Sequence, residues 1–229
     1  MLVLVIQVIV VLALVTAVAM AAFHFPYPSP LIRGWLPPRK RWPEMQVRRW
    51  LSNGKFQPAF LDYFYRDPER VAPEGTDLLA PADGRVSSMD VRDGVRYLVS
   101  ALTFWDMHVQ RSPLSGTVIR VEDDGDTFMD GEGREFAFLK AKACPVQKRV
   151  AMNTDVGAVA VRLITSLAAR RIEAWVHEGQ AIERGQRIGR ILLGSTVVLE
   201  LPSDATVLVR VGDQVRAGET RVATFSGTS

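Results

Sequence analysis

The residues from Leu2 to Phe23 form an apolar segment that is broken only by Gln7 and Thr16. Its length matches a helix that spans a lipid bilayer rather than the shorter core of a signal peptide. A cleaved signal peptide is the competing interpretation, because small alanines near the end of the segment have cleavage-site spacing, but no Lys or Arg precedes the apolar run. We therefore predict a transmembrane anchor over residues 1–23.

Positive charge is concentrated on the side that follows this segment. The basic residues nearest to it are Arg33, Arg39, Lys40, Arg41, Arg48 and Arg49, whereas no basic side chain precedes it. The positive-inside rule then places the rest of the chain in the cytoplasm, at the cytoplasmic (inner) membrane. A polybasic stretch at this place also attracts anionic lipid head groups.

The remainder of the chain changes character near residue 64. Six prolines between positions 26 and 43 argue against regular helix, so residues 24–63 are predicted as a proline-rich basic linker with a short helix from about Pro43 to Leu51. Short β-branched runs then predict a mainly β (α+β) domain over residues 64–229. The predicted strands are Gly84–Met89, Val95–Leu102, Gly116–Val121, Val197–Leu201 and Ala205–Val211. The stretch Val156–Arg171 has helix-like spacing, but its β-branched residues also allow a strand.

Residues 178–189 and 211–223 resemble each other at two glycines and at the aliphatic residue that follows. Glycine turns that alternate with short strands are typical of barrel-sandwich modules such as biotinyl and lipoyl domains. The repeat predicts a barrel-sandwich-like β domain. It also leaves open a non-catalytic, membrane-anchored module, although a carrier of this kind needs a lysine at a hairpin tip and neither half of the repeat contains one.

The composition limits the available chemistry. The single cysteine, Cys144, cannot form an internal disulfide, and no two of His24, His108 and His177 have the spacing of metal ligands. No metal is therefore predicted, and an anchored cell-wall metallopeptidase is a weak alternative. The formal charge of +3 is too diffuse to predict a nucleic-acid partner.

Four segments contain the residues best suited to catalysis. Residues 79–86 place Asp83 in a Pro/Gly-bounded turn before a strand, and residues 104–113 contain His108. Residues 169–172 contain two arginines, and residues 192–197 contain the pair Gly194–Ser195. Together with Tyr65-Arg66-Asp67-Pro68-Glu69-Arg70, their joint order resembles the phosphatidylserine decarboxylase family, in its short bacterial and archaeal form, over most of residues 64–202.

This resemblance implies a proenzyme that cuts itself between Gly194 and Ser195 into a large and a small chain. The small chain would begin with a pyruvoyl group derived from Ser195, which serves as the electron sink for decarboxylation without a metal. A serine hydroxyl is a weak nucleophile, so His108 is the expected base, oriented by Asp83 or by Asp106. Gly194 leaves the attacked carbonyl uncluttered.

The expected substrate is phosphatidylserine in the membrane that holds the anchor, and the product is phosphatidylethanolamine. A related seryl lipid, such as archaetidylserine, is the alternative substrate. Arg111, Arg170 and Arg171 are candidates to bind the lipid phosphate, because guanidinium matches phosphate geometry. Longer family members have a second histidine where this chain has Arg111, so His108 is expected to serve both self-cleavage and reprotonation of the product. The oligomeric state is left open, with a homodimer as one option.

Overall fold

The computed structural model describes residues 1–25, 27–125, 146–165, 171–192 and 195–225. The chain divides into two compact units, Met1–Asp62 and Tyr63–Ser229.

The first unit contains four helices: α1 (Leu2–His24), α2 (Pro30–Arg33), α3 (Pro38–Arg41) and α4 (Glu44–Asn53). Helix α1 is long and apolar enough to cross a membrane, and none of its residues is buried. The prediction of no regular helix in the proline-rich stretch is wrong at two places, because α2 and α3 each begin at a proline, where a missing N–H costs nothing. The predicted short helix is confirmed as α4, with Arg48 and Arg49 exposed.

Helix α5 (Pro58–Phe64) crosses the boundary between the units, and the second unit is otherwise built from strands. These are β1 (Leu78–Leu79), β2 (Gly84–Arg92), β3 (Val95–Leu102), β4 (Val109–Arg111), β5 (Gly116–Asp124), β6 (Gln147–Thr154), β7 (Gly157–Ile164), β8 (Arg171–Ala174), β9 (Ala181–Ile182), β10 (Arg187–Leu192), β11 (Ser195–Pro202), β12 (Thr206–Val207), β13 (Gln214–Val215) and β14 (Arg221–Thr224). The mainly β fold class is confirmed.

The described strands form three antiparallel sheets. The largest has eight strands in the order β13-β2-β3-β11-β7-β6-β5-β9, and two three-stranded sheets have the orders β4-β10-β8 and β1-β14-β12. The main hydrophobic core contains residues from all three sheets, including Leu78, Leu98, Ile191 and Leu199. In the small sheet β4-β10-β8, strand β4 begins directly after His108, the histidine that the sequence predicts as a base.

The pair β3–β11 has an unbroken register from Val95↔Pro202 to Leu102↔Ser195. Side chains alternate between the two faces, so Leu98 and Leu199 enter the main core while Val99 and Val198 form a smaller cluster on the opposite face. Strand β2 pairs with the other edge of β3, and a Cβ at Gly84 would lie 2.4 Å from the carbonyl oxygen of Ala101. Only glycine fits at the start of β2.

The structure corrects one predicted strand and decides between helix and strand for another stretch. The predicted strand Ala205–Val211 shortens to β12, because the chain enters the turn at Val211–Gly212 soon after. The stretch with helix-like spacing contains β7, which lies between β11 and β6. Since both faces of a central strand are buried, its nearly continuous apolar run imitates helical spacing.

The two similar glycine-containing stretches occupy comparable local structures. Strand β9 lies between Gly179 and Gly185, and β13 lies between Gly212 and Gly218. All four glycines have φ between 73° and 100°, which only glycine adopts freely.

Candidate active site

A tight turn after β3 delivers His108 to the small sheet. The Asp106 carboxylate accepts hydrogen bonds from the Thr103 backbone N–H and hydroxyl, each at 2.7 Å. Beyond the turn, the carbonyl oxygen of His108 accepts a hydrogen bond from the N–H of Ile191, which extends the β4–β10 ladder by one residue. The role of Asp106 is therefore to fix the turn from which His108 emerges.

The imidazole of His108 is 1% exposed and packs on the ring of Phe64, with ring centroids 3.9 Å apart. Its Nδ1 lies 3.0 Å from the main-chain carbonyl oxygen of Asp106. A carbonyl can only accept, so Nδ1 carries the proton and Nε2 presents a lone pair. Nε2 is buried and has no hydrogen-bond partner among the described residues.

Burial lowers the pKa of His108 to about 3. The backbone hydrogen bond at Nδ1 opposes this shift, the nearby positive charge of Arg66 adds to it, and the charge of Asp83 opposes it. The imidazole is consequently neutral at physiological pH. Its geometry is that of a base, because the protonated nitrogen is held and the other is free to accept.

Asp83 is engaged away from the imidazole. Its two carboxylate oxygens accept from Arg70 Nη1 at 2.5 Å and Arg70 Nη2 at 2.9 Å, and Oδ1 also accepts from the N–H of Ala217 at 2.8 Å. The prediction that Asp83 or Asp106 orients the imidazole through its carboxylate needs correction: within the described residues, the main-chain carbonyl of Asp106 does so. Asp83 acts on His108 through its charge.

The topology brings Ser195 towards His108. Ser195 begins β11 opposite Leu102, the last residue of β3, and the turn from Leu102 leads directly to His108. On the other side, the N–H of Ile191 donates to the carbonyl oxygen of His108, and Ile191 precedes Ser195 by four residues. The Cα atoms of Ile191 and Ser195 therefore lie within about 14 Å of each other by chain length alone. Gly194 and the side chain of Ser195 lie outside the described residues.

Two of the candidate phosphate ligands lie in the described residues, Arg111 on β4 and Arg171 on β8. Arg111 has a side chain only 5% exposed and donates to the carbonyl oxygen of Gly185 and to Asp67, so it ties two loops together. Burial lowers its pKa. Arg171 is exposed and pairs with Glu173 at 3.5 Å. Arg170 lies outside the described residues, as does Cys144.

Two residues near His108 escaped the site prediction. Arg66 donates to the carbonyl oxygens of Trp105 at 2.6 Å and Tyr63 at 2.8 Å, and its charge influences His108. Gln110 is completely buried, and neither atom of its amide has a partner in the described part of the chain. Two features of the sequence could have indicated them. Arg66 lies in the motif Tyr65–Arg70, and Gln110 follows His108 by two residues, the spacing of side chains on one face of a strand.

No group of three or more His, Cys, Asp or Glu side chains with a metal-binding arrangement occurs among the described residues.

Comparison with known proteins gives a consistent result. Residues 58–223 match the family model for phosphatidylserine decarboxylase. A putative archaetidylserine decarboxylase proenzyme of Methanothermobacter thermautotrophicus is 38% identical over 190 residues, covering 73% of this chain and 82% of the relative. A second protein of that description, from Archaeoglobus fulgidus, is 36% identical over 172 residues, covering 74% of this chain and 82% of the relative.

Proposed function

The chain belongs to the phosphatidylserine decarboxylase family, and from that premise we propose that it matures by self-cleavage between Gly194 and Ser195 and then converts phosphatidylserine to phosphatidylethanolamine. Decarboxylation of a seryl phospholipid follows from the family. The observation that carries the assignment of residues is the buried, neutral imidazole of His108, whose Nε2 lone pair is unpartnered among the described residues.

Self-cleavage uses groups of this chain alone. His108 Nε2 takes the hydroxyl proton of Ser195 while the oxygen attacks the carbonyl carbon of Gly194, and the Gly194–Ser195 amide becomes an ester with a free amine. Elimination of the Gly194 carboxylate leaves dehydroalanine, and addition of water releases ammonia and leaves the pyruvoyl group. The large chain then ends at residue 194.

The residues fit this group, because the chain places Ser195 at the start of a strand that pairs with β3, next to the turn that positions His108. When formed, the pyruvoyl group would supply a ketone for the substrate amine and an electron sink for the pair left on carbon when carbon dioxide departs. His108 Nε2, a lone pair in the resting chain, would take a proton from the substrate ammonium when the amine binds and return it to the carbon that lost the carboxylate. Arg66 supplies positive charge near this site for the acidic head group.

Intact-mass spectrometry of the purified full chain tests self-cleavage. We expect two chains, residues 1–194 and a chain from residue 195 that carries pyruvoyl in place of serine. Ser195→Ala should remain one chain, whereas the matched control Ser203→Ala, a serine at the far end of the same strand region, should still be cut. His108→Ala should slow cleavage by roughly 10²- to 10⁴-fold, the usual loss when a general base is removed. A wild-type chain that stays uncut and still decarboxylates the lipid would refute the mechanism.

Archaetidylserine is a second candidate substrate, favoured by the description of the two relatives. Both lipids have the seryl head group and differ in the glycerol backbone and its chains. Carbon dioxide release from each lipid in mixed micelles, compared as kcat/KM, decides between them. We expect phosphatidylserine to be preferred, and at least a tenfold preference for archaetidylserine would reverse the assignment.

Helix α1 fits membrane association, and we propose that it anchors the protein in the cytoplasmic membrane with the residues after it in the cytoplasm. The basic residues between Arg33 and Arg49 support this orientation. The enzyme would then meet its lipid substrate in the membrane that holds it. A homodimer remains a prediction, to be tested by the mass of the detergent-solubilised protein in solution.

A further inference from the structure

The amide of Gln110 is buried without a partner. The residue is 0% exposed, and neither its Oε1 nor its Nε2 makes a hydrogen bond within the described residues. Leaving an amide in this state reduces the stability of a folded protein, so such a group needs an explanation. An apolar side chain of similar length would fill the same space without this loss.

Strand geometry places this amide on the same face as the imidazole of His108. Successive side chains of a strand alternate, so His108, Gln110 and Ser112 share one face. Ser112 identifies that face as the interior, because its hydroxyl contacts the sulfur of Met152 in the main core. The intervening Arg111 turns the other way, towards Asp67.

The register requires glycine opposite Gln110. Gln110 lies opposite Gly189 in the β4–β10 pair, and a Cβ at Gly189 would lie 2.4 Å from the main-chain carbonyl oxygen of Glu173. The interior face of β4 thus presents two sets of hydrogen-bonding atoms without partners among the described residues: the Nε2 lone pair of His108, and the amide of Gln110 two residues farther along the strand.

We propose that Gln110 binds the carboxylate of the seryl head group and so selects serine-headed lipids over their decarboxylated products. The inference rests on the proposed function, because it places the substrate beside His108. A primary amide has two N–H donors, which suit a carboxylate. Ethanolamine head groups keep the amine and lack the carboxylate, so the donors of Gln110 distinguish substrate from product. Gln110 is a specificity residue that holds the head group in position for the proton transfer at His108.

The test is Gln110→Met, which keeps the length of the side chain and removes its hydrogen-bonding atoms. The variant should self-cleave to the same two chains as wild type. Its kcat/KM for phosphatidylserine in mixed micelles should fall about 10- to 100-fold, the usual effect of losing a hydrogen bond to a charged group, with most of the loss in KM. Inhibition by phosphatidylethanolamine should stay within about twofold of wild type, because that lipid offers no carboxylate to Gln110.

Thermal unfolding separates this role from a structural one. Because the amide is unpaired in the described structure, Gln110→Met should raise the Tm by about 2–4 °C. Gln147 is the matched control: it is 1% exposed, but its Oε1 accepts a hydrogen bond from Arg162 at 3.2 Å. Gln147→Met should lower the Tm and leave KM for the lipid unchanged.

Three results would overturn the inference. The first is a fully cleaved Gln110→Met enzyme with wild-type kcat/KM for phosphatidylserine. The second is an equal loss of substrate and product binding, and the third is a variant that fails to self-cleave, which would assign Gln110 to maturation. A wild-type protein that releases no carbon dioxide from seryl lipids would instead overturn the proposed function, and this inference with it.

Discussion

Asp83→Asn should destabilise the β-rich unit by more than any exposed charge substitution. The Asp83 carboxylate forms a two-pronged ion pair with Arg70, and the side chains are 13% and 8% exposed. Burial acts to lower the pKa of Arg70, but its hydrogen bonds and charge attraction to Asp83 outweigh burial and raise that pKa. The substitution leaves the guanidinium buried opposite a neutral amide.

The magnitude follows from what remains around Arg70. Removing one partner of a buried ion pair costs about 3–5 kcal/mol. The carbonyl oxygen of Ala217 still accepts from Arg70 at 2.8 Å, and Glu219 lies 3.8 Å from its Nε. We therefore expect the lower end, about 3 kcal/mol, which is a large part of the 5–15 kcal/mol that stabilises a typical domain.

Amide hydrogen exchange of strands β3 and β11 measures this loss, in full-length protein that carries Ser195→Ala so that every variant stays one chain. A loss of about 3 kcal/mol corresponds to roughly 100-fold faster exchange of amides that open only on global unfolding. Arg120→Gln is the control, because Arg120 and its partner Glu122 are 65% and 35% exposed, and it should cost less than about 1 kcal/mol. A cost below about 1 kcal/mol for Asp83→Asn would refute the structural role.

Arg70→Met then separates the two roles of Asp83. If Asp83 supports self-cleavage by holding the turn before β2, Arg70→Met slows cleavage as Asp83→Asn does. If Asp83 acts directly on the imidazole, Arg70→Met leaves the carboxylate available and only Asp83→Asn slows cleavage. Removing both charges should recover part of the stability lost in either single variant, since no unpaired buried charge remains.

Three further predictions concern pH, charge and topology. The pKa of His108 is about 3 in the folded chain and near 6.5 in the unfolded chain, so between these pH values only the unfolded chain binds the extra proton. The contribution of His108 to the free energy of unfolding is therefore fully present above about pH 6.5, and about 2–3 kcal/mol of it is lost between pH 6 and pH 4. Urea unfolding measures this loss, which His108→Gln should abolish. Arg66→Gln removes a nearby positive charge and should raise the pKa of His108. The self-cleavage rate should then begin to fall at a higher pH on acidification than in wild type. If this pH is unchanged or lower, Arg66 does not act on the imidazole. Protease added outside intact spheroplasts should leave residues after α1 uncut, and digestion of the β-rich unit under these conditions would reverse the proposed orientation.

The strands that matter most for the fold could be predicted from local patterns. Strand β3 matches its predicted bounds, Val95–Leu102, because it alternates between two apolar environments and ends in turns at both sides. The predicted strand Ala205–Val211 is longer than β12, because an apolar run does not show how soon the chain turns, here at Val211–Gly212. A local pattern therefore indicates where a strand lies better than where it ends.

The candidate site also has one part that the sequence could predict and another that it could not. His108 could be identified from its motif, but its orientation by a main-chain carbonyl leaves no trace in residue types. The pairing of Asp83 with Arg70 joins residues that are 13 positions apart in a chain with many arginines, so charge pattern alone could not select it. Gln110 was missed because only the folded structure shows that its amide has no described partner.

The environment of His108 also bears on whether one imidazole can do two jobs. Burial lowers its pKa to about 3, so on the proposed mechanism it is a weak base for Ser195 and self-cleavage is intrinsically slow. Each chain has to cleave itself only once. In each turnover, Nε2 would first take a proton from the substrate ammonium. The imidazolium formed in a buried site is, for the same reason, a strong acid, and it gives that proton readily to the carbon that has lost carbon dioxide. Because Nδ1 stays hydrogen-bonded to the carbonyl oxygen of Asp106, both transfers use the same atom, Nε2, without rotation of the ring. Burial therefore slows the uptake of a proton by Nε2 in both jobs and favours its delivery to the product carbon.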